Sequence, residues 1–407
     1  MNEMITMPSS VAALLEIFHA AGAEAYVVGG AVRDSLIRCP VHDWDVASPM
    51  PPEKTAALFA AHGYRVIPTG IKHGTVTVIS DGAPVEITAF RVDGSYTDGR
   101  HPDRVEFTSR IEDDLARRDF TVNAMAYSPW RGLCDPFGGR DDLAQGIIRC
   151  VGDARVRFTE DALRILRAFR FAARLGFEID DDTRAAAGEL SGRLSLISAE
   201  RIAAESEKLF LAAAPARYLG AALECGVLEY VFPGVRLNAA DMHPADILPP
   251  DAPLRVGAVL RRAGLSAPAA VRSALESLRT SNAFFSRALA AATGTLPPPE
   301  AEAVRRFMRE TGNADAVISA ASACGEPHAE DVAAIAAKIS AAGGPVTMRT
   351  LAVNGKKLRA AGFEGGREMG EILRALLDAA TADPSINNEA ELLRLAHSIK
   401  EKNRKDI

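Results

Sequence analysis

The sequence predicts an α+β fold, a small sheet domain at the N-terminus followed by a long all-helical remainder. Two observations carry this. Short β-branched runs separated by polar turns occupy the first 150 residues, whereas beyond them Ala, Leu, Arg and Glu dominate and strand signals stop. Residues 25–28 read as a strand ending in Gly29-Gly30, residues 43–46 as a second, 74–79 as a third and 85–90 as a fourth. Helices near 9–21 and 53–62 fit between them. Further on, helical periodicity covers 159–175, 182–190, 198–213 and 215–226, and returns at 367–381 and 388–400. Residues 237–254 and 294–299, rich in proline, read as connections, and no repeat of fixed period is present.

The 407 residues can bury a sizeable core and suit two to four domains. With 48% hydrophobic and 25% charged residues, the composition is that of a soluble globular protein. The opening MNEMITMPSS has neither the basic start nor the apolar run of a secretory leader, and no apolar stretch is long enough to span a bilayer. The five cysteines (Cys39, Cys134, Cys150, Cys225, Cys324) are scattered and never form C-x-x-C, so free thiols in a reducing cytoplasm are expected and a structural zinc site is not. A net charge of −6 does not advertise nucleic-acid binding. Yet residues 155–174 hold six arginines against two acids, and 400–405 are basic. Charge alone leaves two readings of that stripe open, a solvated helix face or an RNA-binding face.

Chemistry-bearing residues cluster in the first 170 positions. Gly29 and Gly30 let backbone approach a phosphate closely, and Arg33 follows at the start of a helix; a plain turn is the alternative. Asp43 and Asp45 flank Trp44. On a strand both carboxylates project to one face, an arrangement of oxygen ligands that suits Mg²⁺. Glu86, on a neighbouring strand, is either a third carboxylate or an outward strand residue. About seventy residues after Asp45, Arg117-Arg118-Asp119-Phe120-Thr121-Val122-Asn123-Ala124 packs two cations, an acid and an amide together. Arginine grips phosphate bidentately, and Asn orders a ribose or a turn. Residues 135–139, DPFGG, read as a structural turn. Phosphate turn, paired carboxylates and arginine segment are the parts of a nucleotidyl transfer site.

The second strong feature is Glu160-Asp161 followed by Arg164, Arg167 and Arg170. Helical residues three apart lie about 60° apart around the axis, so these charges climb one half of a helix while Ala162, Ile165, Leu166, Phe169, Ala172 and Ala173 face a core. Ordinary amphipathicity accounts for the pattern. So does a sharper reading, in which Asp161 accepts and Arg164 donates hydrogen bonds to a base edge. Cytosine and adenine offer an amino donor beside an acceptor, whereas uracil and guanine reverse the order. A good bidentate pair discriminates by roughly 1–3 kcal/mol.

In this order, these residues resemble the class II nucleotidyltransferase family, which comprises CCA-adding enzymes (tRNA nucleotidyltransferases) and bacterial poly(A) polymerases. The matching runs are GGAVRD (29–34), DWD (43–45), TGIKHGTVTV (69–78), RRDFTVNA (117–124), DPFGGRDDL (135–143), EDALRILRAFRFAARLGF (160–177) and ERIAAE (200–205). Weaker likeness continues through VNGKKL (353–358) and 365–373. The resemblance implies a polymerase-β-like head at 1–144, then an all-α neck at 145–212, body at 213–330 and tail at 331–407. It implies Asp43 and Asp45 as ligands of two Mg²⁺ ions. Gly29, Gly30, Arg33 and Arg118 would cradle the triphosphate, Asp119 and Asn123 would fix the local geometry, and Asp161 with Arg164 would read the base. Arg167 and Arg170 would support the nucleotide, and 93–108 would be a mobile loop.

The activity implied is addition of C, C and A from CTP and ATP to the 3′ end of tRNA, with no membrane contact and no obligate protein partner. A poly(A) polymerase, a partial CC- or A-adding enzyme and a non-catalytic tRNA-binding protein are the alternatives. Three features lean toward CCA: a reading pair that suits both C and A, the run Asn-Ala-Met-Ala at 123–126, and no long basic extension for gripping arbitrary RNA. His243 and His328 stand alone, so the paired-histidine phosphohydrolase activity of some members is not expected.

Overall fold

The computed structural model describes residues 5–71, 74–94, 105–265, 267–344 and 346–405. The chain divides into two compact units, Met1–Ala239 with Ser277–Arg279, and Ala240–Glu276 with Thr280–Ile407.

The first unit opens with α1 (Ser9–Ala20), β1 (Tyr26–Val28), α2 (Gly30–Leu36), β2 (Asp45–Ser48) and α3 (Pro52–Ala61). Then come β3 (Arg65–Gly70), β4 (Thr75–Ser80), β5 (Ala83–Ala89), β6 (Arg91–Asp93), β7 (Val105–Phe107) and α4 (Ile111–Ala116). The hairpin β8 (Ala126–Ser128) and β9 (Gly132–Cys134) completes a seven-stranded sheet of order β3-β4-β5-β2-β1-β8-β9. Every residue of β1 is buried, as a central strand covered on both faces requires. Tyr26 and Val28 pack with Phe90, Ile111, Leu115 and Ala126 on one side. The other side carries α1 and α3, joined edge to face through Phe18 and Phe59 at 5.1 Å.

Helices follow: α5 (Gly139–Gln145), α6 (Ala154–Glu160), α7 (Leu163–Leu175), α8 (Asp181–Leu190), α9 (Ala199–Phe210), α10 (Ala216–Glu224) and α11 (Leu228–Val231). A parallel pair, β10 (Ile147–Ile148) with β11 (Glu178–Ile179), links them. Caps set several of their ends. Asp153 accepts from Arg155 N at 2.8 Å to start α6, and Gly176, at φ 72°, ends α7. The second unit is helical. Among its helices, α13 (Ala252–Arg262) and α15 (Asn282–Thr293) meet so closely that a Cβ on Gly257 would sit 2.5 Å from Ala288 O. The VNGKKL run owes its pattern to a cap, because Asn354 accepts from the backbone of Lys356 and Lys357 and starts the helix Gly355–Ala360.

The α+β organisation stands, with local corrections. β2 begins at Asp45, so Asp43 precedes the strand. The run at 159–175 is two helices broken at Asp161-Ala162, because Asp161 takes an extended backbone (φ −140°, ψ 104°) and its carboxylate accepts from Leu163 N at 3.1 Å. The stretch 237–254 is not a bare connection: it holds short turns of helix at Ala239–Met242 and Pro244–Ile247 and the start of α13. Strands β3, β8 and β9 were not signalled, since they are short or carry Pro and Gly. Residues 95–104 of the expected loop, with Lys72 and His73, lie outside the described residues; its flanks β6 and β7 pair antiparallel. All five cysteines are free, and no helix among the described residues is long and apolar enough to cross a membrane.

The DPFGG turn is structural. Asp135 accepts from Gly139 N at 2.7 Å and Arg140 N at 2.9 Å, and Gly138 takes φ 72°. A Cβ on Gly139 would lie 2.2 Å from Thr121 O. Gly139→Ala should therefore force the 117–124 segment off α5 and destabilise the fold by about 1–3 kcal/mol, read as a lower denaturant midpoint in urea.

Candidate functional site

The end of β1 builds the floor of the site. Val28 is in register with Asp45 on β2 and with Ala126 on β8, so the chain leaves β1 at Gly29 directly beside the first residue of β2. Gly29 donates to Met125 O at 3.0 Å and holds φ 68°, ψ −125°, a backbone that L side chains avoid. A Cβ there would sit 2.7 Å from Arg118 Nη1, so the missing side chain is the space the guanidinium fills.

Asp45 is in parallel register with Glu86 on β5. Desolvation in the concave floor, then Glu86, push the Asp45 carboxyl above its ordinary value; Arg118 opposes this and Asp43 adds to it. Among the described residues, neither Asp43 nor Asp45 nor Glu86 has an ion-pair partner. Trp44 points elsewhere, into a cavity with Met7, Leu36 and Val41.

The arginine segment is held from below. Asp114, 1% exposed, accepts from Arg117 Nη2 at 2.7 Å and Arg118 Nη2 at 3.2 Å. Burial would raise Asp114, yet the two guanidiniums bring its carboxyl below the ordinary range. Asp119 is buried at the junction of segment and helix. Its Oδ2 accepts from Arg167 Nε at 2.9 Å and Nη2 at 2.6 Å, and its Oδ1 from Asn123 Nδ2 at 3.0 Å. Burial again raises the carboxyl, but Arg167 and Asn123 outweigh it and bring it down to about 2. Asn123 Oδ1 accepts from Arg33, itself paired with Asp34 at 2.7 Å. One chain of contacts thus runs from α2 to α7.

Helices α6 and α7 close the site. Three of their arginines reach the segment before residue 120: Arg157 donates to Ala116 O at 3.0 Å, Arg164 to Arg117 O at 2.9 Å, and Arg167 to Asp119. Arg164 also pairs with Glu160 at 2.8 Å. Asp161 Oδ2 accepts from Arg201 Nη2 at 3.0 Å. Arg170, 7% exposed, lies 2.5 Å from Glu205 and 3.7 Å from the centre of the Phe171 ring. Burial, first, lowers its pKa.

Gly29, Gly30, Arg33, Asp43, Asp45, Arg118, Asp119, Asn123, Asp161, Arg164, Arg167 and Arg170 all line one cavity of about 700 Å³. Glu86 is not in its wall but stands beside Asp45. Sequence reasoning passed over His42, Arg174 and Arg201, which also line it, and Glu205 behind it. The ERIAAE run carried the signal for the last two, since its Arg and Glu stand one helical turn apart and face the charges of α7.

This architecture, a mixed sheet with its carboxylates at the strand ends and helices following, is that of a nucleotidyltransferase head with a helical continuation. Residues 25–149 match the family described as the poly A polymerase head domain, and residues 176–237 the one described as the probable RNA and SrmB-binding site of polymerase A. The CCA-adding enzyme of Leuconostoc citreum is 48% identical over 218 residues, 54% of this chain and 53% of that protein. That of Streptococcus pyogenes is 43% identical over 244 residues, 59% and 60% of the two chains. The chain thus spans about half the length of the curated relatives it matches. The Bacillus stearothermophilus CCA-adding enzyme in complex with CTP is similar over 98% of this chain and 100% of its own, at 31% identity and TM-score 0.79. The Thermotoga maritima CCA-adding enzyme complexed with tRNA shares the fold at TM-score 0.70 and 22% identity, over 97% and 96% of the chains. The chain belongs to the nucleotidyltransferase family of CCA-adding enzymes and poly(A) polymerases.

The depressed Asp119 carboxyl has a consequence in acid. Its contribution to stability is complete above the ordinary value of 3.8 and is lost as pH falls toward about 2. Asp119→Asn should therefore be less stable than the parent at neutral pH, with the gap closing across that window. Urea unfolding at stepped pH reads it; a gap that stays constant means that Asp119 is not ionised against Arg167.

Proposed function

We propose that this chain adds C, C and A to the 3′ end of tRNA, transferring CMP and AMP from CTP and ATP with release of pyrophosphate. The observation that carries the reading is the single cavity. It joins the unpaired carboxylates Asp43 and Asp45, the arginine segment, and the Asp161/Arg164 pair. The names of the similar proteins support the same reading, and two of them were solved with CTP and with tRNA.

The carboxylates fit a divalent metal. They are oxygen donors without an ion-pair partner among the described residues, and the burial and the neighbouring carboxylates Glu86 and Asp43 that raise the Asp45 carboxyl would both be offset by a bound cation. Asp43 and Asp45 would hold two Mg²⁺ ions, with Glu86 as the third candidate. Held by these carboxylates, the metal would supply charge to lower the pKa of the attacking 3′ hydroxyl and to stabilise the departing pyrophosphate. The chain's own residues do the positioning. Gly29 and Gly30 let backbone approach the phosphates, while Arg118 and Arg33 supply charge. Asp119 and Asn123 keep Arg167 and Arg33 in place. Asp161 accepts from the amino group of cytosine or adenine. Arg164 donates to the neighbouring ring nitrogen through Nε, which has no partner among the described residues, while its Nη1 and Nη2 are held by Glu160 and the carbonyls of Arg157 and Arg117. Residues 1–144 would be the catalytic head, 145–212 a neck, 213–330 a body and 331–407 a tRNA-binding tail, in a cytoplasmic enzyme.

Two experiments test this. Transfer RNA ending at its discriminator base, incubated with each nucleotide and sequenced, should gain C, C and A and then stop. Long A tails on unstructured RNA would instead mark a poly(A) polymerase, and arrest after CC a partial enzyme. Separately, Asp43→Ala or Asp45→Ala should lower turnover by orders of magnitude and leave the melting temperature unchanged or raised, because neither acid has an ion-pair partner among the described residues and the Asp45 carboxylate is desolvated in the concave floor. Near-normal Mg²⁺-dependent turnover in either variant would remove it from the ligand set.

A further inference from the structure

Asp161 and Arg164 carry opposite charges three residues apart, the spacing at which such side chains ordinarily pair with each other. Here they do not. Arg164 goes to Glu160 and to the carbonyls of Arg117 and Arg157, and Asp161 goes to Leu163 N and to Arg201. Asp161 sits between α6 and α7 with an extended backbone, so neither helix fixes the direction of its side chain. On one oxygen it is held by its own helix start, and on the other by Arg201 alone.

We propose that Arg201 is a specificity-determining positioning residue: from α9 it keeps the Asp161 carboxylate from collapsing onto Arg164, so that acceptor and donor both stay open to a base. The proposal rests on the reading of Asp161 and Arg164 as the base-reading pair. Two further facts support it. Arg201 Nη1 is buried and donates to nothing among the described residues. The one side-chain hydrogen bond of Arg201 among the described residues therefore goes to Asp161. In addition, one turn later on α9, Glu205 takes Arg170 at 2.5 Å and Arg167 at 3.7 Å. One helix thus presents a cation to the acidic reader and an anion to the basic residues beyond it.

If Arg201 is removed, Asp161 and Arg164 pair with each other, and the base loses both partners while the phosphates lose none. Arg201→Met should therefore reduce the preference for CTP over UTP, and for ATP over GTP, by about tenfold in kcat/KM. The loss should fall mainly on KM for CTP and ATP. Inhibition by inorganic tripolyphosphate, a ligand with no base, should be unchanged. Arg201→Lys keeps the charge and should recover part of the preference; it also serves as the test variant if Arg201→Met does not fold. Asp161→Asn is the comparator, and Arg201→Met in that background should add nothing. A uniform loss across four nucleotides and tripolyphosphate, a change in melting temperature alone, or additive effects in the double variant would each overturn the role of Arg201 and leave the base-reading pair standing. An unchanged preference in Asp161→Asn would instead remove the reading pair itself.

Discussion

The site depends on one buried interaction, the two-pronged contact of Arg167 with Asp119. A buried carboxylate is tolerable only when its lone pairs are met, and Asp119 meets them with a guanidinium from α7, the Asn123 amide and its neighbour's backbone N–H. Through Asn123 the same network reaches Arg33 on α2, and through the backbone it reaches Val151 N, which donates to Asp119 O at 3.1 Å. Removing either charge would leave the other stranded. The relation of the 117–124 segment to α7 is therefore set by a largely buried charge pair, stiffer than a fully exposed one.

Much of this was legible in the sequence, because most of it is local. The ends of α1, α3 and the helix Arg367–Ala382 fall within a residue or so of where the sequence pattern puts them. The core positions of α7 are those read from its apolar face; Ile165, Leu166, Phe169 and Ala172 are fully buried. What could not be read depends on contacts distant in sequence. Asp161 leaves the helix because its carboxylate has partners in Leu163 N and in Arg201, forty residues on. Asp43 reaches the cavity from the irregular segment before β2 and not by strand alternation, and nothing local marks where β2 begins. Strands of three residues, such as β8, exist through their neighbours and carry too short a pattern to be seen.

The residues passed over have a common character. Glu205 and Asp114 stand behind others, Arg201 stands in the wall beside Asp161, and each is matched in charge to a group already suspected of a role. A search for residues able to touch phosphate or base overlooks them, because their chemistry is exercised on the protein. Asp114 shows the pattern: almost fully buried, it joins Arg117 and Arg118 and fixes the direction of both.

The arginines around the cavity come with their own anions: Arg33 and Arg174 share Asp34, Arg117 and Arg118 share Asp114, and Arg201 has Asp161. A polyanion entering such a cavity exchanges partners with built-in carboxylates and displaces few salt ions. With the nucleotide proposed above as that polyanion, ionic strength would act weakly on its capture, well below what a count of arginines suggests, because the counterions that matter are part of the polypeptide and cannot diffuse away. Such a cavity would be selective for the same reason. A single charge cannot compete with the resident carboxylates, and only a ligand with several phosphate oxygens in the right places gains more than the protein gives up.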